Sequence, residues 1–202
     1  MKSFRSFLKK SILNENSAFV LLLGLCPLLA CSTSCVAGCF LGISALFVLV
    51  LTGVVVSLVG RFIPERVKTV SYMVLAAGFV TVVELLLNAF LPSVYEAIGI
   101  YLPLVVVSGM CFERIECAEG ETVKNAALGG LSMGLGYLAA SFVLSFIREL
   151  FGRGTLFGFR IFPEEYSIRV LTSPAGALIL FGFLLAVFRY ALLRVEKKEV
   201  EK

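Results

Sequence analysis

Residues 21–42 read LLLGLCPLLACSTSCVAGCFLG. The run is apolar enough for a membrane helix, yet Pro27 interrupts it, and it carries Cys26, Cys31, Cys35 and Cys39 out of six cysteines in the whole chain. Proline inside a membrane helix removes a backbone donor and frees a carbonyl, which is tolerated where neighbours or irregular backbone accommodate it. The stretch therefore predicts a broken helix with the Cys26 thiol at the break.

The rest of the chain supplies the membrane setting. Of 202 residues 59% are hydrophobic, against about 45–50% in soluble domains, and the mean hydropathy is +0.98. A hydrocarbon core about 30 Å thick takes about 20 apolar residues per helix, so the length allows about six spans in one integral membrane domain. These are expected at 18–39, 41–59, 69–90, 98–112, 123–147 and 170–190. Residues 1–17, basic and then polar, read as a retained cytoplasmic interfacial segment, not a signal peptide, and 191–202 as a cytoplasmic tail. The chain has no histidine, which excludes imidazole ligands and histidine acid–base chemistry. Its net charge of +4 is what a positive-inside bias leaves, and nothing else points to nucleic acid.

An even span count puts both termini on one side. Of the 18 Lys and Arg residues, only Arg148, Arg153, Arg160 and Arg169 then fall on the opposite side. Both termini are therefore expected in the cytoplasm, with 148–169 outside.

Spans one and four are both abnormal. The first contains Pro27 and small residues; the fourth, GIYLPLVVVSGMCF at 99–112, is short and contains Pro103 and Gly109. Each opens a group of three spans and is followed by a glycine-bearing one. Interrupted segments at matching places are the sequence hint of an inverted repeat with a site at the bilayer midplane. The expected fold is thus an all-α membrane protein of six transmembrane helices, an inverted 3+3 repeat with broken helices in spans one and four.

The cysteines divide by position. Cys31, Cys35 and Cys39 recur every four residues, which places them on one helical face as a small-residue helix contact. Disulfides among them are disfavoured by geometry. Cys26 precedes Pro27 at the expected break, and Cys111 occupies the corresponding region of span four. Soft thiolates hold iron–sulfur clusters, and two such thiols make half of a four-cysteine site. Either Cys31, Cys35 or Cys39 completes it, or a partner subunit does. No CxxC pair is present, which disfavours a zinc ribbon.

ENSAFVLLLGLCPLLA at 15–30, IGIYLPLVVVSGMCFERIECA at 98–118 and SFIRELFGRGTLFG at 145–158 resemble the E subunits of Rnf complexes, the ferredoxin:NAD oxidoreductases of bacterial and some archaeal cytoplasmic membranes. They are also similar to the D subunits of sodium-translocating NADH:quinone reductases. The resemblance implies an electron-transfer subunit coupled to Na+ or H+ transport. It also implies an A-type partner of opposite topology, a [2Fe–2S] cluster shared between the two, and further flavin-bearing and iron–sulfur subunits. Cys26 matches the first ligand position. The Asn-Cys usual at the second position falls on Ser108 and Gly109, with Cys111 two residues later. Cys111 is the expected second ligand, ahead of Cys117, which lies in the charged stretch ERIECAEGE.

Glu84, within TVVELLLNAF, is a costly ionisable group in span three and reads either as a cation or proton relay or as a hydrogen-bonded packing carboxyl. Arg148 and Glu149 are expected at the outer end of span five as an exposed ion pair or a docking surface, of little weight for stability. An inverted-repeat secondary transporter or a purely structural assembly subunit is the alternative function. Cysteine, proline and aliphatic residues at the breaks, in place of charges, favour the cluster.

Overall fold

Two long helices without proline form the centre of the bundle. The computed structural model describes residues 24–60, 63–118, 120–156, 159–160 and 172–200. A short helix α1 (Leu25–Cys31) leads into α2 (Cys35–Val59), and a 3-10 turn at Glu65–Val67 leads into α3 (Lys68–Phe90). Then come α4 (Pro92–Ile98), a second 3-10 turn, α5 (Leu102–Val107), α6 (Gly109–Ala118) and α7 (Val123–Arg153). A hairpin of two-residue strands, Thr155–Leu156 and Phe159–Arg160, precedes α8 (Pro174–Val200).

Helices α2 and α7 pack antiparallel at a distance that only small residues permit. A Cβ added at Gly130 would stand 2.8 Å from the Leu49 carbonyl oxygen, one at Gly134 2.7 Å from the Leu46 Cα, and one at Gly42 3.0 Å from the Leu138 Cα. In lipid the hydrophobic effect does not drive helices together, so such close backbone contact has to supply the attraction. Helices α3 and α8 lie at the rim. They turn Val70, Val74, Leu85 and Phe90, and Leu178, Ile179 and Phe183, outward as exposed apolar side chains.

Among the described residues α2, α3 and α7 are long and apolar enough to cross a membrane. The segment Pro92–Val107 joins Gly109–Ala118 as a further apolar pair bent by 46°, and Pro174–Tyr190 is a shorter apolar helix. The expected spans at 41–59, 69–90 and 123–147 fall on α2, α3 and α7. Residues 18–23 and 170–171 of the first and last expected spans lie outside the described residues.

The first expected span is corrected in its interior. The break is at 32–34, not at Pro27, and α2 runs from Cys35 through the expected boundary at 39–41. Pro27 occupies the first turn of α1, where its missing N–H has no intrahelical acceptor to lose. Because the break separates Cys31 from Cys35, the three cysteines spaced by four do not share one helix: Cys31 ends α1, while Cys35 and Cys39 open α2.

Candidate functional site

The chain enters α1 through Gly24 at φ +78°, the left-handed region that glycine takes without strain. The carbonyl of Gly24 accepts a hydrogen bond of 3.4 Å from the Tyr137 hydroxyl, from the middle of α7. A Cβ on Gly24 would lie 3.1 Å from the Tyr137 ring and 3.8 Å from the Met110 Cβ. The start of α1, the start of α6 and the centre of α7 thus meet at one junction, where Tyr137 and Met110 are fully buried.

Each helix that starts there carries a thiol in its first turn. Cys26 is the second residue of α1 and Cys111 the third of α6. The break before α6 is made by Ser108, whose extended backbone ends α5 and whose hydroxyl donates 2.6 Å to the Val105 carbonyl. The Ser108 carbonyl then accepts the Cys111 N–H at 3.0 Å. The two thiols differ in access: Cys26 is exposed, whereas Cys111 is 0% exposed. Both thiols thus stand in the first turn of a helix that starts at the junction, Cys26 facing outward and Cys111 packed inside. Cys31 and Cys35 are buried, Cys39 is half-buried, and Cys117 is exposed on α6. Among the described residues no three Cys, Asp or Glu side chains converge as a metal site.

Glu84 is half-buried on α3, between the buried Val83 and the 65% exposed Leu85. Arg148 and Glu149 overturn the exposed-pair expectation, since each is only 3% exposed. Arg148 donates to the Leu29 carbonyl at 2.7 Å and the Ser32 hydroxyl at 2.6 Å, and also to the carbonyls of Thr172 and Ser173. The Glu149 carboxylate accepts the Cys35 N–H. These groups satisfy polar backbone at the α1–α2 break, which no pattern in the sequence announces because the partners are more than 100 residues apart.

Arg114, counted in the sequence as a cytoplasmic charge, is likewise buried. Its guanidinium donates 2.9 Å to the Ala126 carbonyl and pairs with Glu121 at 3.2 Å. It fills the space over Gly129, where a Cβ would overlap it.

Comparison with known proteins adds the following. The profile of the family described as "Rnf-Nqr subunit, membrane protein" matches residues 4–185. The chain is 37% identical to the E subunit of the proton-translocating ferredoxin:NAD(+) oxidoreductase complex of Clostridium ljungdahlii, over all of this chain and 96% of that one. It is 34% identical to the E subunit of the Na(+)-translocating ferredoxin:NAD(+) oxidoreductase complex of Acetobacterium woodii, over 93% and 97% of the two chains. The E subunit of the ion-translocating oxidoreductase complex of Vibrio parahaemolyticus is 36% identical, over 93% and 88%.

Proposed function

Because the chain belongs to the Rnf-Nqr family of membrane protein subunits, we propose that it is the E-type subunit of an ion-translocating ferredoxin:NAD oxidoreductase and carries electrons across a bacterial cytoplasmic membrane. Full-length similarity to subunits so named supports this reading. In it the chain crosses six times as two halves of opposite orientation, with both termini in the cytoplasm. The order of elements supports the repeat: α1 leads over a short break into α2, α6 leads over another into α7, and α2 and α7 run antiparallel. An impermeant thiol reagent should label an Arg160→Cys variant from the outer side only. Labelling from the cytoplasmic side would overturn the topology.

The observation that carries the electron-transfer reading is the exposed Cys26 at the junction of the helix starts. Cys26 and Cys111 are this chain's ligands to a [2Fe–2S] cluster, and an A-type subunit of opposite topology supplies the other two. When bound, the cluster accepts and releases one electron at a time. The surrounding residues place the thiols and keep water out: Tyr137 and Met110 close the junction on its inner side, and Gly24 lets α1 begin against the Tyr137 ring. Iron–sulfur subunits on the cytoplasmic side and flavin-bearing subunits outside complete the path. Glu84 is the relay for the transported cation, whose identity differs between the named relatives, proton in one and sodium in the other.

The test is spectroscopic. In the complex purified with its A-type partner, Cys26→Ser should abolish the reduced [2Fe–2S] electron paramagnetic resonance signal and electron transfer, whereas Cys39→Ser should retain both. An unmutated complex without any such signal would refute the cluster.

A further inference from the structure

The α1 half-helix is too short to hold itself in place. Seven residues lie well below the about 12–15 at which an isolated helix becomes marginally stable. Its N-cap Gly24 offers no side-chain cap, and at its other end the Leu29 carbonyl, past the reach of the helix's own N–H groups, accepts the neighbouring Ser32 hydroxyl at 3.0 Å. Across the break, α2 opens with the same deficit, because the Ser34 side chain makes no capping bond. In a low-dielectric interior these groups cost free energy unless a partner reaches them.

Two consecutive residues near the end of α7 reach both sides of the break. Arg148 puts a cation on the Leu29 carbonyl and the Ser32 hydroxyl at the C-terminal end of α1. Glu149 puts a carboxylate on the Cys35 N–H at the N-terminal end of α2. Each charge matches the helix end that it faces. The same two residues extend outward, Arg148 to the Thr172 and Ser173 carbonyls just before α8, and Glu149 to the Thr155 hydroxyl of the hairpin at 3.4 Å.

We propose that Arg148 and Glu149 are a positioning pair for Cys26: they lock the α1 half-helix to α7 and to the outer hairpin, so that the Cys26 thiol is held in one place at the junction. The link to electron transfer rests on the cluster reading above; the mechanical link does not. The pair acts through the backbone of α1. It also gives the outer surface a short route to the thiol, from Thr155 through Glu149 and Arg148 to Leu29.

The experiment uses the complete complex and two readouts. Hydrogen–deuterium exchange follows the amides of residues 25–31, and electron paramagnetic resonance with redox titration follows the cluster. Arg148→Gln should speed exchange in 25–31 by about ten-fold or more, as expected when a local opening loses buried charge-assisted bonds, with the centres of α2 and α7 unchanged. It should also shift the cluster's g values and midpoint potential. Arg148→Lys, which keeps the cation, should restore part of both effects. Glu149→Gln, which keeps an acceptor oxygen for Cys35, should give the smaller change.

Unchanged exchange in 25–31 in Arg148→Gln would overturn the proposal, and so would acceleration spread evenly over the whole chain. Should Arg148→Gln fail to assemble, the same comparison is made with Arg148→Lys and Glu149→Gln, and wild-type values in both would overturn it equally. If selective acceleration occurs in a complex whose unmutated form has no cluster signal, the lock stands and the cluster reading falls. If the cluster is present and its g values and potential do not move with the exchange, the lock does not position Cys26.

Discussion

The α1 and α6 half-helices are built alike and treated differently. Each starts at the same junction with a thiol in its first turn, and each is followed by a short break and a long helix. Yet Cys26 on α1 is exposed and Cys111 on α6 is fully buried. The breaks are secured by different means as well. The one after α1 is held from a distance by Arg148 and Glu149. The one after α6 is held by Arg114 of α6 itself, which reaches Glu121 and the Ala126 carbonyl, and by Ser57 of α2, which donates 2.6 Å to the Glu121 carbonyl. Similar local chain paths thus acquire unlike surroundings, because α6 packs against α2, α3 and α7 while α1 packs against α2, α5 and α8 and leaves Cys26 outside.

The strongest way to break this comparison is to remove the buried thiol. Cys111→Ser should abolish the [2Fe–2S] signal as completely as Cys26→Ser, since three thiolates leave one iron site open. A retained signal would make Cys111 a packing residue and leave the two half-helices functionally unequal.

A second substitution tests the contact between α2 and α7, the long helices that follow the two half-helices. Gly130→Leu would force side-chain atoms into the Leu49 carbonyl, which stands 2.8 Å from where even a Cβ would be. Backbone cannot yield as a flexible side chain does, so a loss of about 3 kcal/mol is expected. It is read as a lower unfolding temperature of the purified complex, and an unchanged temperature would mean that the α2–α7 contact is looser than described.

The smallest effect is expected outside both half-helices. Glu84→Gln on α3 should leave assembly and the cluster signal intact while lowering the number of cations moved per electron. An unchanged ratio would return Glu84 to a packing role and leave coupling to the breaks themselves.

Composition alone determined that this chain belongs in a membrane, because an apolar excess of this size is stable only in hydrocarbon. The long runs at 41–59, 69–90 and 123–147 were readable for the same reason: hydropathy is a local property, and nothing in those runs opposes a helix. Cys26 was also legible, as a thiol beside a proline in an apolar run. Even there the proline misled, since it opens α1 when the tertiary path begins at Gly24, and the interruption moves to 32–34. The burial of Cys111, Arg114, Arg148 and Glu149 was decided by tertiary structure only. A charge near the end of an apolar run looks alike whether it meets water or the terminal carbonyls of a half-helix 119 residues away, as Arg148 meets Leu29. Burial and pairing depend on which segments meet, and that is set by the close approach of α2 and α7.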